Sequence, residues 1–293
     1  MISAWFRVIR IRFLLASVIA VSVGLAITWW HTSNVTVFDA ILTMLGVLAL
    51  HASVDLFNDY WDFKRGIDTT TKRTKMSGGS GVLPEGILKP RQVYAGGIIF
   101  LVIGTIIGVY FVITDGIIIG IILVFAVVSI YFYSTKIVNW GLAEVFVSIK
   151  GTLIVIGTYF IQTSQINDSV ILGGIVVGVL SSLVLFITSF PDHDADKAKR
   201  RKTFVISIGK KRASTIIWVF PAIVYGITIS AVIAQVFPVF CLIIIAAVPL
   251  VIMSGQKLRC GYNSINRLIP IMSSTLVYSR ITGALFVVGF LLR

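Results

Sequence analysis

The chain is poor in charge, poorest in acids, and has almost no cysteine. Charged residues fill 13% of its 293 positions, about half the share of an ordinary soluble domain. That excludes a soluble globular protein. Cys241 lies in an apolar run and Cys260 at the polar end of one, with no metal-ligand spacing between them. No disulfide framework or zinc site is implied. Asp and Glu total 12 against 25 Lys and Arg, a net charge of +13. Such an excess suggests nucleic acid only if it gathers on one surface. Here the cations alternate along the chain with apolar runs, which is a signature of membrane topology, so no nucleic-acid partner is expected. No obligate protein partner is evident either.

Apolar sequence dominates what is there: 57% of residues, with a mean hydropathy of +0.98. Nine runs reach bilayer length of about 20 residues, at roughly 13–30, 36–57, 92–113, 116–134, 141–161, 169–189, 214–235, 237–254 and 271–292. The first is too long for the core of a signal peptide and has no clear cleavage site, so it is expected to be retained. The expected class is therefore all-α and polytopic, with nine transmembrane helices. Arg7, Arg10 and Arg12 precede the first run, seven cations lie from Lys64 to Arg91, Lys136 follows the fourth run, and eight lie from Lys197 to Arg212. Lys257, Arg259 and Arg267 precede the last run, and the loops between carry no Lys or Arg. The positive-inside rule then predicts an integral cell-membrane protein with a cytoplasmic N-terminus and basic loops, and an outside C-terminus.

Seven of the 12 acids fall in two short stretches, each at the cytoplasmic end of an apolar run. In the first, Asp55, Asn58, Asp59 and Asp62 are spaced i, i+3, i+4 and i+7, so on a helix they share one face; Asp68 trails them. Like charges so placed repel one another and are costly near a membrane. A divalent cation such as Mg2+ answers that charge with suitably hard oxygen ligands. In the second stretch Asp192 and Asp196 form an i, i+4 pair, with Asp194 off that face, and a basic run follows at once. Two acidic ends with basic loops suggest a site for a metal-chelated polyanion. The loop after the first stretch carries Lys72, Arg73 and Lys75, then Ser77-Gly-Gly-Ser-Gly81. Its glycines permit positive φ and free backbone N–H groups, so it is able to fold over an anion. The whole chain, 1–293, reads as a single domain. Two pseudo-repeated halves, about 1–135 and 136–254, each supply one acidic end, and a last helix spans 271–292.

Lys150 and Arg280 are charges inside predicted spans, which makes each a functional candidate. Glu144, six residues before Lys150, is a poor partner for it on a straight helix. Lys150 is expected to face a cavity deeper than the acids, where it would bind the acidic group of a bound molecule or help to deprotonate it.

The segment Asn58-Asp-Tyr-Trp-Asp62 with Gly66-Ile-Asp68 resembles the first Asp-rich motif of the UbiA superfamily of intramembrane prenyltransferases. Asp192-His-Asp-Ala-Asp196 with Lys202-Thr203 resembles the second. Together with Gly141-Leu-Ala-Glu144 and Gly157-Thr-Tyr159-Phe-Ile-Gln162, they look most like the menaquinone-type branch, which includes the 1,4-dihydroxy-2-naphthoate prenyltransferases. The resemblance implies nine helices around a central cavity, capped by cytoplasmic loops, with Mg2+ (Mn2+ possible) bridging both motifs and an isoprenyl diphosphate. It implies that Asn58, Asp59, Asp62, Asp192 and Asp196 hold metal and diphosphate, the four acids being catalytic. Asp68 is then a loop-ordering residue, and Lys136, Lys199, Arg201 and Lys202 match basic positions expected on the diphosphate, beside Lys72 and Arg73. Three positions depart from the branch: Ile11, where proline is common, Lys150, and His51, where some relatives carry a basic side chain.

The implied reaction transfers an isoprenyl chain from an allylic diphosphate to a lipophilic acceptor, an aromatic quinone precursor. Phe57, Tyr60, Trp61, Tyr131, Tyr133 and Tyr159 are candidates to face the allylic cation. An alternative acceptor is geranylgeranylglyceryl phosphate, giving an ether lipid. An ion-coupled transporter is the rival from another class, but it predicts acids at the midplane and not at helix ends. A CDP-alcohol phosphotransferase is excluded by the missing Asp-Gly-x-x-Ala-Arg pattern.

Overall fold

The computed structural model describes residues 2–68, 73–74, 76–199 and 201–292. Among the described residues all regular structure is helical. A short helix α1 (Ile2–Val8) turns at Arg10 into α2 (Ile11–Thr32). Then come α3 (Val37–Lys64), α4 (Pro90–Asp115), α5 (Ile117–Tyr133), α6 (Ala143–Thr163) and α7 (Asp168–Ala198). Two short helices, α8 (Phe204–Ile208) and α9 (Lys210–Ile216), lead into α10 (Val219–Ile233), α11 (Val248–Gly261) and α12 (Ile265–Leu291). Among the described residues eight helical segments are long and apolar enough to cross a bilayer, and the 17-residue α5 supplies the ninth apolar run.

The seventh and eighth runs differ from uniform helices. A break at residues 217–218 separates α9 from α10, and Pro221 explains it, because its ring clashes with the carbonyl four residues earlier, that of Ile217. The eighth run opens as a 3-10 helix over Val239–Ala247, and the α-helix starts where proline occupies its first turn. Pro191, by contrast, sits inside α7 without ending it. As a result α7 carries Asp192 and Asp196 on one continuous helix.

Helix α7 is the central post: 72% of its apolar window is buried within the protein, against 22–44% for the other spans. Its closest partner is α6, and small residues permit that approach. A Cβ on Gly178 would lie 2.2 Å from the Ser148 carbonyl oxygen, and one on Gly151 would lie 2.8 Å from the Gly178 Cα. Phe186, Phe190, Phe286, Phe290 and Tyr278 fill the main core beside α7. A smaller core of Ala4, Val8, Leu56, Val82, Leu83, Leu88 and Val93 ties α1 and the 82–88 turn onto α3 and α4. The outer faces of α4 and α5 present Ile106, Ile113, Ile121 and Val124, the composition of a lipid-facing surface.

Alternation of the spans brings Arg10, the C-terminal ends of α3 and α7 and the start of α6 to one end of the bundle. A cavity of about 300 Å3 opens there and runs inward between α2, α3, α5, α6, α7 and α12.

Candidate active site

Both acidic stretches are helical and face this cavity. Asp55, Asn58 and Asp62 from α3, and Asp192 and Asp196 from α7, line it, with Asp68 from the following loop. Asp59 is fully buried beside them. Three of the four residues spaced i, i+3, i+4 and i+7 thus share the cavity face, and Asp59 is taken up by Ser80 and Arg10 instead.

The Ser77–Gly81 loop folds over carboxylates of the chain itself. The Ser80 N–H donates to Asp59 Oδ1 (2.8 Å), the Ser80 hydroxyl donates to Asp59 Oδ2 (2.6 Å), and the Gly78 N–H donates to Asp192 Oδ2 (3.3 Å). One loop thus links both acidic helices. Only glycine suits Gly79, at φ +73, where a Cβ would stand 2.1 Å from Asp68 Oδ2.

Two arginines are interleaved with the acids. Arg10 holds a left-handed backbone, φ 51, and its Nη2 donates to Asp59 Oδ1 at 3.3 Å. That backbone costs about 1–3 kcal/mol for a non-glycine residue and persists only where its surroundings enforce it. Arg201 Nη1 donates to Asp62 Oδ2 (3.2 Å) and Asp196 Oδ1 (3.3 Å), joining the two stretches. Burial alone would lower the pKa of each guanidinium. The surrounding carboxylates outweigh it and hold both above the usual arginine value. Asp68 is moved the other way: burial, then the neighbouring Asp62 and Asp59 charges, push it up to about 7.

Several carboxylate oxygens remain orphaned. Among the described residues, Asp55 Oδ2, Asp62 Oδ1, Asp68 Oδ2, Asp192 Oδ1 and both oxygens of Glu144 are buried without a hydrogen-bond partner. Arg201 Nη2 stands 3.2 Å from Asp62 Oδ1, a charge contact without hydrogen-bond alignment. Orphaned acceptors of this kind are costly unless a cation or donor joins them. Among the described residues no three carboxylate, His or Cys groups converge as a ready-made metal cage. The donor set fits Mg2+ in its commoner mode, held by one or two carboxylates together with substrate phosphate oxygens and water.

The remaining expected residues are spread more widely. Lys150 lines the cavity, as do Arg201 and Asn58, whose Oδ1 accepts from the Ser134 hydroxyl at 3.1 Å. Arg73 is exposed and paired with Glu85, Lys136 stands 4.9 Å over the Phe132 ring, and Lys199 and Lys202 are exposed; none of these four lines the cavity. Lys72 lies outside the described residues.

The aromatic expectation needs correction. Tyr131 is 45% exposed and packs edge-on against Phe57, on the outer side of α5. Phe57, Tyr60 and Trp61 pack among aromatic neighbours away from the cavity, while Tyr159 is buried at the opposite end of the bundle, in hydrogen bonds to His31 and Asn167. The rings that do line the cavity are Tyr133, Phe13, Phe125 and Phe146. Arg10 is a site residue that motif spacing did not single out, while Ser80 and Glu144 lay inside noted motifs without an assigned role of their own. Arg10 had one usable signal, a cation placed just before the first span and at the same end as the acids.

A polytopic helical bundle with two acidic helix ends and two arginines converging on a loop-covered cavity defines a membrane protein with a charged site at one end. The family model described as "UbiA prenyltransferase family" matches residues 17–264, and the chain belongs to that family. It is 25% identical over 292 residues to the 1,4-dihydroxy-2-naphthoate octaprenyltransferase of Bacillus subtilis, covering 98% of this chain and 92% of that one. The fold matches a UbiA homolog from Aeropyrum pernix with a TM-score of 0.71 at 17% identity, covering 94% and 97% of the two chains. It also matches a UbiA homolog from Archaeoglobus fulgidus bound to GPP and Mg2+, with a TM-score of 0.64 at 16% identity, covering 97% and 99%.

Proposed function

We propose that this prenyltransferase moves an isoprenyl chain from an allylic diphosphate to an aromatic quinone precursor, with the acidic end facing the cytoplasm. The observation that carries the reading is the set of orphaned carboxylates from two helices, bridged by arginine and roofed by backbone N–H donors, at the mouth of an apolar cavity. Naphthoate prenyltransferase relatives and a homolog bound to GPP and Mg2+ support it.

Asn58, Asp59, Asp62, Asp192 and Asp196 would hold Mg2+, or Mn2+, together with the diphosphate. The metal supplies neutralisation of the leaving group's charge when bound. Arg10 and Arg201 sit where they can add positive charge to the departing diphosphate, and the Gly78 and Ser80 N–H groups are donors able to reorient toward it. The bond broken is that between the allylic carbon and the diphosphate oxygen. Tyr133, Phe125 and Phe146 then present π faces to an allylic cation. The apolar walls exclude the water that would otherwise capture it. An electron-rich acceptor carbon forms the new bond and a proton leaves. The two halves, about 1–135 and 136–254, act as one domain in this reading because each contributes one acidic helix end.

The test is a product screen by mass spectrometry with purified protein, labelled geranylgeranyl diphosphate, and a panel of hydroxynaphthoate, hydroxybenzoate and geranylgeranylglyceryl phosphate acceptors. A prenylated naphthoate-derived product supports the reading. Transfer to the glyceryl phosphate alone, or no transfer to any acceptor, overturns it.

A further inference from the structure

Below the diphosphate end the cavity has a second polar layer. Asp55 and His51 lie one and two helical turns beneath Asp59, about 6 and 12 Å deeper at 1.5 Å per residue. Lys150 from α6 and Arg280 from α12 line the same cavity. His51 Nδ1 is hydrogen-bonded to the Ser17 hydroxyl at 2.7 Å, and its Nε2 is 3.9 Å from Asp55 Oδ2. Lys150 lies within Coulombic reach of Asp55, His51 and Arg280, and Arg280 within reach of His51. Yet among the described residues Asp55 Oδ2 has no hydrogen-bond partner, and neither does the buried Arg280 Nε.

With His51 uncharged, this layer holds two cations and one carboxylate, a net charge of +1 in the low-dielectric part of the bundle. Charged groups inside a membrane protein normally pair with one another or mark a ligand path. An uncompensated positive layer would also oppose an allylic cation forming just above it. A single monoanion closes the balance; a phosphate dianion overshoots it.

We propose that Lys150 and Arg280 form an anion subsite that takes the carboxylate of an aromatic monocarboxylic acceptor, holding its ring between this layer and the diphosphate. The assignment rests on the prenyl-transfer reading above for the identity of the bound molecule as acceptor. The binding of the anion itself is independent of that reading.

Binding is measured calorimetrically on metal-free, detergent-solubilised protein with 1-hydroxy-2-naphthoate and its neutral twin, 1-hydroxy-2-naphthamide. The expected result is about tenfold tighter binding of the carboxylate by the wild type. Lys150→Met and Arg280→Met should each erase that preference while amide binding persists. Lys150→Arg should keep it, which guards against a folding defect in the methionine variants. Equal affinity of the wild type for both ligands, or a preference retained in Lys150→Met and Arg280→Met, overturns the subsite. Tighter binding of geranylgeranylglyceryl phosphate than of the naphthoate overturns the monocarboxylate assignment. Wild-type diphosphate cleavage with Mg2+ is followed in parallel. Carboxylate preference without any cleavage would leave the subsite standing and remove the prenyl-transfer reading.

Discussion

The two ends of the bundle handle polar groups in opposite ways. At the end away from the acids, Tyr159, His31, Asn167 and Ser169 close on one another: the Asn167 amide donates to the Tyr159 hydroxyl at 2.9 Å, and the Ser169 hydroxyl donates to Asn167 Oδ1 at 2.7 Å. Asn167 also caps α7 by accepting from the Val170 N–H at 3.0 Å. That network carries no acid and fastens α2, α6 and α7 together. At the acidic end the groups are charged, buried and incompletely satisfied, and two arginines and a glycine loop only partly offset them. A satisfied neutral network needs nothing further, whereas an unsatisfied charged one implies a ligand. Substitutions at the acidic end should therefore cost function, with or without stability, and those at the far end stability alone.

The largest break in that contrast should come from Asp62→Ala and Asp192→Ala. Each should lower prenyl transfer by about a thousandfold or more, the scale of losing a main electrostatic contributor, as read by product formation, while the protein stays monodisperse in detergent. Asp59→Ala should lose activity and also destabilise the fold by about 3–5 kcal/mol, because it strands the part-buried Arg10 and two donors on Ser80. Thermal unfolding of the three variants separates these outcomes.

Gly79→Ala comes next. A Cβ at φ +73 against Asp68 should displace the loop that links α3 to α7, lowering activity about tenfold with a stability cost of about 1–2 kcal/mol. At the far end, Asn167→Ala should cost about 1 kcal/mol of stability through the lost cap and leave turnover within about twofold. A large loss of turnover in Asn167→Ala would erase the distinction between the ends.

The smallest effect belongs to Glu85, which is exposed and paired with Arg7 (2.6 Å) and Arg73. Hydrogen bonds from Arg7 and Arg73 hold its pKa down at about 2. A depressed carboxyl contributes stability above its unfolded pKa, near 4.5, and loses it as pH falls toward 2. Glu85→Gln should flatten that slope in an acid-unfolding profile and change activity by less than about twofold.

Much of the fold was legible because apolar run length and loop charge are one-dimensional signals. The i, i+3, i+4, i+7 acids were legible for a similar reason, since α3 stays helical through Lys64. What depended on helix phase or on distant partners was not. Tyr131 and Tyr133 are two residues apart, so on α5 they point to nearly opposite sides, and composition does not say which faces inward. Tyr159 lies 15 residues beyond Glu144, about 22 Å further along α6, too far to serve the same site. The Arg10 contact depends on a left-handed turn between α1 and α2, and the Arg201 bridge depends on α3 and α7 already being side by side.

The central claim is that the acidic end assembles a metal-dependent prenyl-transfer site. Its most direct test uses EDTA-stripped protein, labelled geranylgeranyl diphosphate and 1,4-dihydroxy-2-naphthoate, with product followed by mass spectrometry as MgCl2 is added back. The account predicts no prenylated product in EDTA and recovery of transfer on Mg2+ addition. Full transfer by the metal-free protein would contradict it.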